Sequence, residues 1–201
     1  ALEAQNQRPI KLGLGQSPFP VPEDLVAALA ASAHEKDYLP VQGLRSLRDS
    51  IAQWHQRKHR LQFCADDIVI GPGSKELLFL LQLVTDTQTF LPTPSWVSYG
   101  PQRTMLGERV TWIPGHAEHH FMLDAHSLDK TLTEAVTERT PLLILNSPSN
   151  PVGRMLAANT LTEIGGIMRK HQGLILSDEI YGEVSFDAAH RSVAHDYPEG
   201  T

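Results

Sequence analysis

Short apolar runs alternate with segments of helical pattern from residue 67 to residue 177, and this alternation constrains the fold more than any other feature. The runs are 67–70, 89–93, 109–113, 141–146 and 173–177. Apolar residues are largely continuous within each run, as in strands that are covered on both faces. Strands that alternate with helices favour right-handed βαβ units. We therefore predict an α/β fold with three layers, α/β/α, around a mostly parallel sheet.

Helical patterns fill the intervals between these runs and also precede them. The predicted helices cover 23–35, 44–60, 75–84, 96–106, 123–136 and 158–172. The helix at 44–60 places four apolar residues on one face with charged residues opposite, and these are Leu44, Leu47, Ile51 and Trp54. Residues 10–22 are rich in Gly and Pro, which predicts an extended lead-in and loop.

Composition narrows the class of function. The net charge of -6 and the lack of a basic tract argue against a nucleic-acid partner. No apolar run approaches the length needed to span a membrane, so no membrane partner is predicted. Cys64 is the single cysteine, which excludes an intramolecular disulfide and favours a reducing, cytoplasmic compartment. The first residues lack Met and a signal-peptide layout, and the last residues close no element, so we expect a piece of a longer protein.

In open parallel sheets, ligands bind at the carboxyl ends of the strands, so the residues after each run are the candidate site. "GPGSKE" follows the first run and opens a helix. Gly71 and Gly73 permit a sharp turn with free N–H groups, and Ser74 and Lys75 add a hydroxyl and a cation, which together suit an anion such as phosphate. The alternative is a glycine turn that serves packing alone, since neither common nucleotide-binding glycine pattern is matched.

The other strand ends add an aromatic ring, an amide, a carboxylate and a phenol. Trp96 could stack on a planar ring or be a core aromatic, and Asn150 could bind a ligand or simply form its turn. Asp178 and Tyr181 follow the last run, where a buried carboxylate requires a cation. The matching ligand is a planar ring that carries a phosphate, a basic ring nitrogen and an oxygen, and pyridoxal 5'-phosphate has all of these.

Six motifs, in order, give the chain a family resemblance. They are "LGLGQSPFPVPE", "YLPVQGLRSLRDSIAQW", "GPGSKELL", "PSWVSY", "NSPSNPVG" and "SDEIY". From Ile10 to its end the chain resembles the fold-type I, class I/II aminotransferases, the aspartate-aminotransferase-like family. One departure is Pro18, which lies one place away from the usual spacing of the N-terminal loop.

The resemblance implies a role for each candidate residue. Asp178 would pair with the protonated ring nitrogen of pyridoxal phosphate, Asn150 and Tyr181 would hydrogen-bond the ring oxygen, and Trp96 would stack on the ring. Gly73, Ser74 and Lys75 would hold the phosphate. Glu179 is expected to point away from the ring, because only one carboxylate is needed there.

The resemblance also implies partners and a domain division. Tyr38 would reach the phosphate in a neighbouring subunit, which implies a homodimer, and Gly15 would lie beside the substrate carboxylate, where Trp96 and Asn150 also contribute. Residues 1–37 would form an N-terminal arm and part of a small domain, and 38–201 a truncated cofactor-binding large domain. The substrates would be an amino acid and a 2-oxo acid.

A transaminase also needs a Schiff-base lysine, and none is predicted here. The lysines are Lys11, Lys36, Lys58, Lys75, Lys130 and Lys170, and none follows a strand in the family's setting. We therefore expect this half of an aminotransferase to be inactive alone.

Other functions stay open at this point. A carbon–sulfur lyase or a cyclopropane-forming synthase shares the motifs, and a non-catalytic module for cofactor binding or dimerisation is a further alternative. The histidines at 55, 59, 116, 119 and 120 favour solvated faces and loops, so no metal site is predicted.

Overall fold

A computed structural model describes residues 15–136, 138–186 and 188–201. The chain divides into two compact units, one up to Leu39 and one from Pro40 to Thr201. In the first unit, helix α1 spans Glu23–Ser32 and begins directly after Pro22. None of its residues is buried. The predicted helix at 23–35 is therefore present but ends three residues earlier.

The second unit contains a four-stranded, fully parallel sheet. Its strands are β1 (Thr87–Pro92), β2 (Val110–Ile113), β3 (Thr140–Asn146) and β4 (Leu174–Asp178). The spatial order is β2-β1-β3-β4. The chain thus runs outward from β1 to β2, crosses back to β3 and continues to β4 on the other side. The predicted α/β fold with a parallel sheet is confirmed.

Five helices accompany the sheet in the second unit, as far as the structure describes it. They are α2 (Arg45–His59), α3 (Ser74–Val84), α4 (Tyr99–Met105), α5 (Ala125–Glu134) and α6 (Ala158–Lys170). None of the helices in the described ranges is long and apolar enough to cross a membrane.

Alternate strand residues face two separate apolar clusters, which gives the sheet its covered faces. Leu143 of β3 lies in the larger cluster with Leu128 of α5 and Ile164 of α6. The next residue, Ile144, packs on the opposite face in a cluster with Leu78 of α3 and Tyr99 of α4. The core therefore lies on both sides of the sheet, and α3 and α4 share the side that carries the smaller cluster.

The predicted strand at 67–70 is wrong. Residues 68–70 have no strand partner among the described residues, although Ile68 has extended dihedral angles. The Ile70 N–H donates instead to the Gln42 carbonyl at 2.9 Å. An extended apolar segment becomes a strand only when a neighbour supplies a hydrogen-bonding ladder, and Ile70 meets a loop carbonyl here.

The apolar residues expected on one face of the helix at 44–60 are only partly covered. Leu44, Leu47 and Trp54 stay 46%, 43% and 37% exposed. Arg48 is buried instead and donates to the carbonyls of Gly43 and Ala65 at 3.2 and 2.7 Å. Because those hydrogen bonds satisfy its guanidinium, a charged residue holds α2 against the 3₁₀ turn that begins at Ala65.

Candidate functional site

A pocket of about 100 Å³ opens at the carboxyl end of the sheet. It is lined by Ser74, Trp96, Tyr99, Asn146, Asn150, Asp178, Ile180 and Tyr181. These residues end or follow β1, β3 and β4 or begin α3 and α4, so the pocket lies where the strand order reverses, as ligand sites in open parallel sheets do. Five of the residues predicted from sequence line it: Ser74, Trp96, Asn150, Asp178 and Tyr181.

Asp178 ends β4 and is 8% exposed. Its Oδ2 accepts a hydrogen bond from the Tyr99 hydroxyl at 2.7 Å, and its Oδ1 accepts one from the Ile180 N–H at 3.3 Å. None of the ion pairs formed by the described residues includes this carboxylate. The pocket therefore presents a buried, oriented acid that remains open to a cation of a ligand.

Tyr99 is the main site residue that sequence reasoning missed. It begins α4, and its side chain is 1% exposed. Burial raises the pKa of the Tyr99 phenol, and the hydrogen bond to Asp178 and the negative charge of Asp178 raise it further. The phenol therefore stays protonated at neutral pH and acts as a donor to the carboxylate. The available signal was its place three residues after Trp96, whose ring it meets edge-on at 5.3 Å between centroids.

Asn146, the last residue of β3, ties two strand ends together. Its Oδ1 accepts from the Asn150 N–H at 2.7 Å, and its Nδ2 donates to the Asp178 carbonyl at 2.8 Å. The Asn150 amide in turn donates to the Tyr181 hydroxyl at 3.4 Å. Asn150 and Tyr181 therefore lie side by side, as two groups that contact one ligand oxygen would have to.

The turn before α3 has the backbone expected of an anion-binding turn. Gly73 has φ 114° and ψ 154°, a conformation essentially restricted to glycine. A Cβ at Gly73 would meet nothing within 4 Å, so the backbone angles, not crowding, require glycine. Ser74 is the first residue of α3, where N–H groups are free, and the Lys75 Nζ lies 5.5 Å from the Trp96 ring centroid.

Glu179 does not line the pocket and bonds elsewhere. Its carboxylate accepts from the Ser177 hydroxyl at 2.8 Å and lies 2.9 Å from Nε2 of His190, a histidine whose side chain is 3% exposed. Burial alone raises the pKa of Glu179, but hydrogen bonds from His190, Ser192 and Ser177 outweigh burial and hold the pKa below its ordinary value of 4.5. Glu179 is therefore a structural anion beside the site.

Two predicted residues belong to the first unit. Gly15 is exposed, and Tyr38 is fully exposed, so their roles beside a substrate and a neighbouring phosphate stay predictions.

Among the lysines, Lys58 pairs with Glu183 and Lys170 with Asp129, while Lys11 lies outside the described residues.

Comparison with known proteins agrees with this geometry. The model of the family "Aminotransferase class I and II" matches residues 7–200. Aspartate aminotransferase of Bacillus subtilis (strain 168) is 33% identical over 199 residues, which cover 96% of this chain and 50% of that protein. Asparagine–oxo-acid transaminase of Streptococcus mutans is 33% identical over 194 residues, 94% of this chain and 48% of that protein.

The fold agrees as well. The solved structure of aspartate aminotransferase from Thermus thermophilus with maleate superposes with a TM-score of 0.86 and 27% identity, covering 99% of this chain and 52% of that one. This chain therefore spans about half the length of the relatives it matches. With the match over residues 7–200, the pocket and the parallel sheet together, the chain belongs to the class I and II aminotransferase family.

Proposed function

We propose that this chain provides the cofactor-binding site of an aminotransferase that moves an amino group from an amino acid to a 2-oxo acid. Pyridoxal 5'-phosphate is the cofactor that membership of the family implies. The observation that carries the proposal is the buried Asp178 carboxylate, held by Tyr99 and facing a pocket that Trp96, Asn150 and Tyr181 also line.

The residues of the pocket fit the parts of that cofactor. Asp178 offers an anion to a protonated pyridine nitrogen, and its burial strengthens that pairing because the local dielectric constant is low. Asn150 and Tyr181 lie together and suit the ring oxygen, and Trp96 offers a face for stacking. Gly73 and Ser74 offer the free N–H groups of a helix start to the phosphate.

The chemistry of the bound group comes from its ring, which acts as an electron sink when its nitrogen is protonated. Asp178 would keep that nitrogen protonated by offering an anion beside it. Tyr99 fixes the direction of the Asp178 carboxylate, and Asn146 fixes the main chain on which Asp178 and Asn150 stand.

A binding experiment tests the proposal on the purified 201-residue chain. Pyridoxamine 5'-phosphate is the probe, because it cannot react with surface lysines and its fluorescence reports binding. Asp178→Asn removes the anion, and we expect affinity to fall at least about tenfold, the size expected for a buried charge-assisted contact. Asp129→Asn is the matched control, because Asp129 is a partly exposed carboxylate of α5 that pairs with Lys170 and does not line the pocket. Equal affinity in all three proteins would contradict the proposal.

The substrate class and the reaction type need a second experiment. Relatives are named aspartate aminotransferase and asparagine–oxo-acid transaminase, which favours amino-group transfer with a small polar amino acid over lyase or cyclopropane-forming chemistry. Product analysis on the full-length polypeptide, with an amino donor and with or without a 2-oxo acid, distinguishes them. We expect product only with the acceptor. Release of ammonia or sulfide without it would identify a lyase.

We further propose a cytoplasmic homodimer in which Tyr38 contacts the phosphate bound by the neighbouring subunit. The exposed Tyr38 ring supports this assignment, since a fully exposed tyrosine is free to meet a second chain. Sedimentation of the full-length polypeptide tests it. A monomer at micromolar concentration would contradict the shared site.

A further inference from the structure

Two buried glutamine side chains join α3 to α4 outside the pocket. Gln82 of α3 is 1% exposed and Gln102 of α4 is 7% exposed. The Gln102 Nε2 donates to the Lys75 carbonyl at 2.7 Å, and its Oε1 accepts from the Gln82 Nε2 at 3.2 Å. Gln82 Nε2 also donates to the Leu78 carbonyl at 3.1 Å. A carbonyl can only accept, so the orientation of the Gln102 amide is determined by Lys75.

Burying two amides is unfavourable unless hydrogen bonds satisfy them, and the Gln82 Oε1 finds no partner among the described residues. An apolar pair would fill the same space without that cost. The Gln102 hydrogen bond ends on the second residue of α3, one residue after Ser74 and two after Gly73. It therefore acts on the turn assigned to the phosphate.

Tyr99 and Gln102 are three residues apart on α4 and thus share a face of that helix. From this face Tyr99 reaches the Asp178 carboxylate and Gln102 reaches the Lys75 carbonyl. We propose, on the basis of the cofactor assignment above, that Gln102 is a positioning residue and that α4 sets the distance between the phosphate-binding turn and the carboxylate that meets the ring nitrogen.

The rigidity of a helix makes this a fixed distance. Three residues of an α-helix rise about 4.5 Å along its axis. The distance between Tyr99 and Gln102 along α4 is therefore nearly constant, because the backbone hydrogen bonds hold each helical turn. A ligand with an anion at one end and a basic ring nitrogen at the other can then contact the turn before α3 and the Asp178 carboxylate at the same time. Loss of the Gln102 hydrogen bond frees the turn and leaves the Asp178 end in place.

The test measures the two ends separately. Pyridoxamine 5'-phosphate and pyridoxamine differ only in the phosphate, so the ratio of their dissociation constants reports the phosphate contribution. Gln102→Met keeps the approximate size of the side chain and removes both the donor nitrogen and the acceptor oxygen of its amide. We expect affinity for pyridoxamine 5'-phosphate to fall about tenfold with affinity for pyridoxamine unchanged, because the hydrogen bond to the Lys75 carbonyl that holds the turn is lost. Tyr99→Phe should weaken both ligands by the same factor.

Controls separate a positioning role from a general loss of structure. Gln53→Met changes an exposed glutamine of α2 and should alter neither dissociation constant. Gln102→Asn keeps the amide but shortens its reach, and it replaces Gln102→Met if that variant does not fold. If the Gln102 variants lose the same affinity for both ligands, or lose none, the inference is overturned. The cofactor assignment would still stand in that case, provided that the wild-type chain prefers the phosphorylated ligand. A wild-type chain that binds neither ligand would overturn the cofactor assignment itself.

Discussion

Tyr99→Phe tests how the pocket holds Asp178. The substitution removes one hydroxyl and leaves the ring, so it makes no large cavity in the cluster with Leu78 and Ile144. The lost contact is a 2.7 Å hydrogen bond to a carboxylate that is 8% exposed. Hydrogen bonds to charged groups contribute about 1.5–3 kcal/mol, and little water can replace this donor, so we expect the free energy of unfolding to fall by about 2–3 kcal/mol at neutral pH.

Tyr197→Phe is a matched control for this measurement. Tyr197 is also buried, and its hydroxyl donates to the Gly173 carbonyl at the same 2.7 Å, but that acceptor is neutral. Its loss should destabilise the fold by about 1 kcal/mol. Urea unfolding of the three proteins gives both differences from the midpoints, provided the slopes agree. If Tyr99→Phe has no larger effect than Tyr197→Phe, the charge of Asp178 does not strengthen the contact and the reasoning fails.

The same variant has a signature at high pH. The pKa of Tyr99 is raised above its ordinary value of 10.0. Its contribution to the free energy of unfolding is therefore complete below pH 10 and is lost at higher pH, because the phenol of the unfolded chain then ionises. Wild type should therefore lose stability above about pH 10 more steeply than Tyr99→Phe. Parallel curves for the two proteins would contradict the raised pKa.

Three further predictions concern the surroundings of the site. Gly73→Ala should destabilise the fold by about 1–3 kcal/mol because of its positive φ, whereas Gly166→Ala, at an open and exposed position of α6, should stabilise it by about 0.5–1 kcal/mol in the same urea titration. Since the pKa of Glu179 is lowered, its stabilising contribution is present above pH 4.5 and is lost below it; urea midpoints of Glu179→Gln should therefore change less than those of wild type on acidification. Borohydride treatment of the chain with pyridoxal phosphate should label no single lysine stoichiometrically, and mass spectrometry that finds one such site would refute the prediction.

The elements of the sheet were predictable because a buried parallel strand shows itself as a continuous apolar run. The run at 67–70 shows the limit of that signal: the same composition is extended beside a loop carbonyl at Gln42, since pairing depends on which segment is adjacent. Arg48 shows a second limit, because its burial follows from the carbonyls of Gly43 and Ala65 that meet it.

Within the pocket, the residues found from sequence are those that directly follow a strand or turn. Tyr99 was missed because its contact spans 79 positions of sequence, and no local pattern joins an aromatic residue at a helix start to a distant aspartate. Asn146 was missed because the last residue of an apolar run is counted with the strand. In both cases the functional property is a hydrogen bond to Asp178 from another element, and only the tertiary arrangement brings the two partners together.

The two hydrogen bonds of Asn146 end on main-chain groups, the N–H of Asn150 and the carbonyl of Asp178. The frame that spaces the ends of β3 and β4 is therefore independent of which side chains stand at 150 and 178. A substitution at either position changes the chemistry offered to a ligand and leaves these two anchors intact. Evolution or design can thus replace the side chains at 150 and 178 one at a time while these two main-chain hydrogen bonds are kept. A change at Asn146 would remove both hydrogen bonds, whichever side chains stand at 150 and 178.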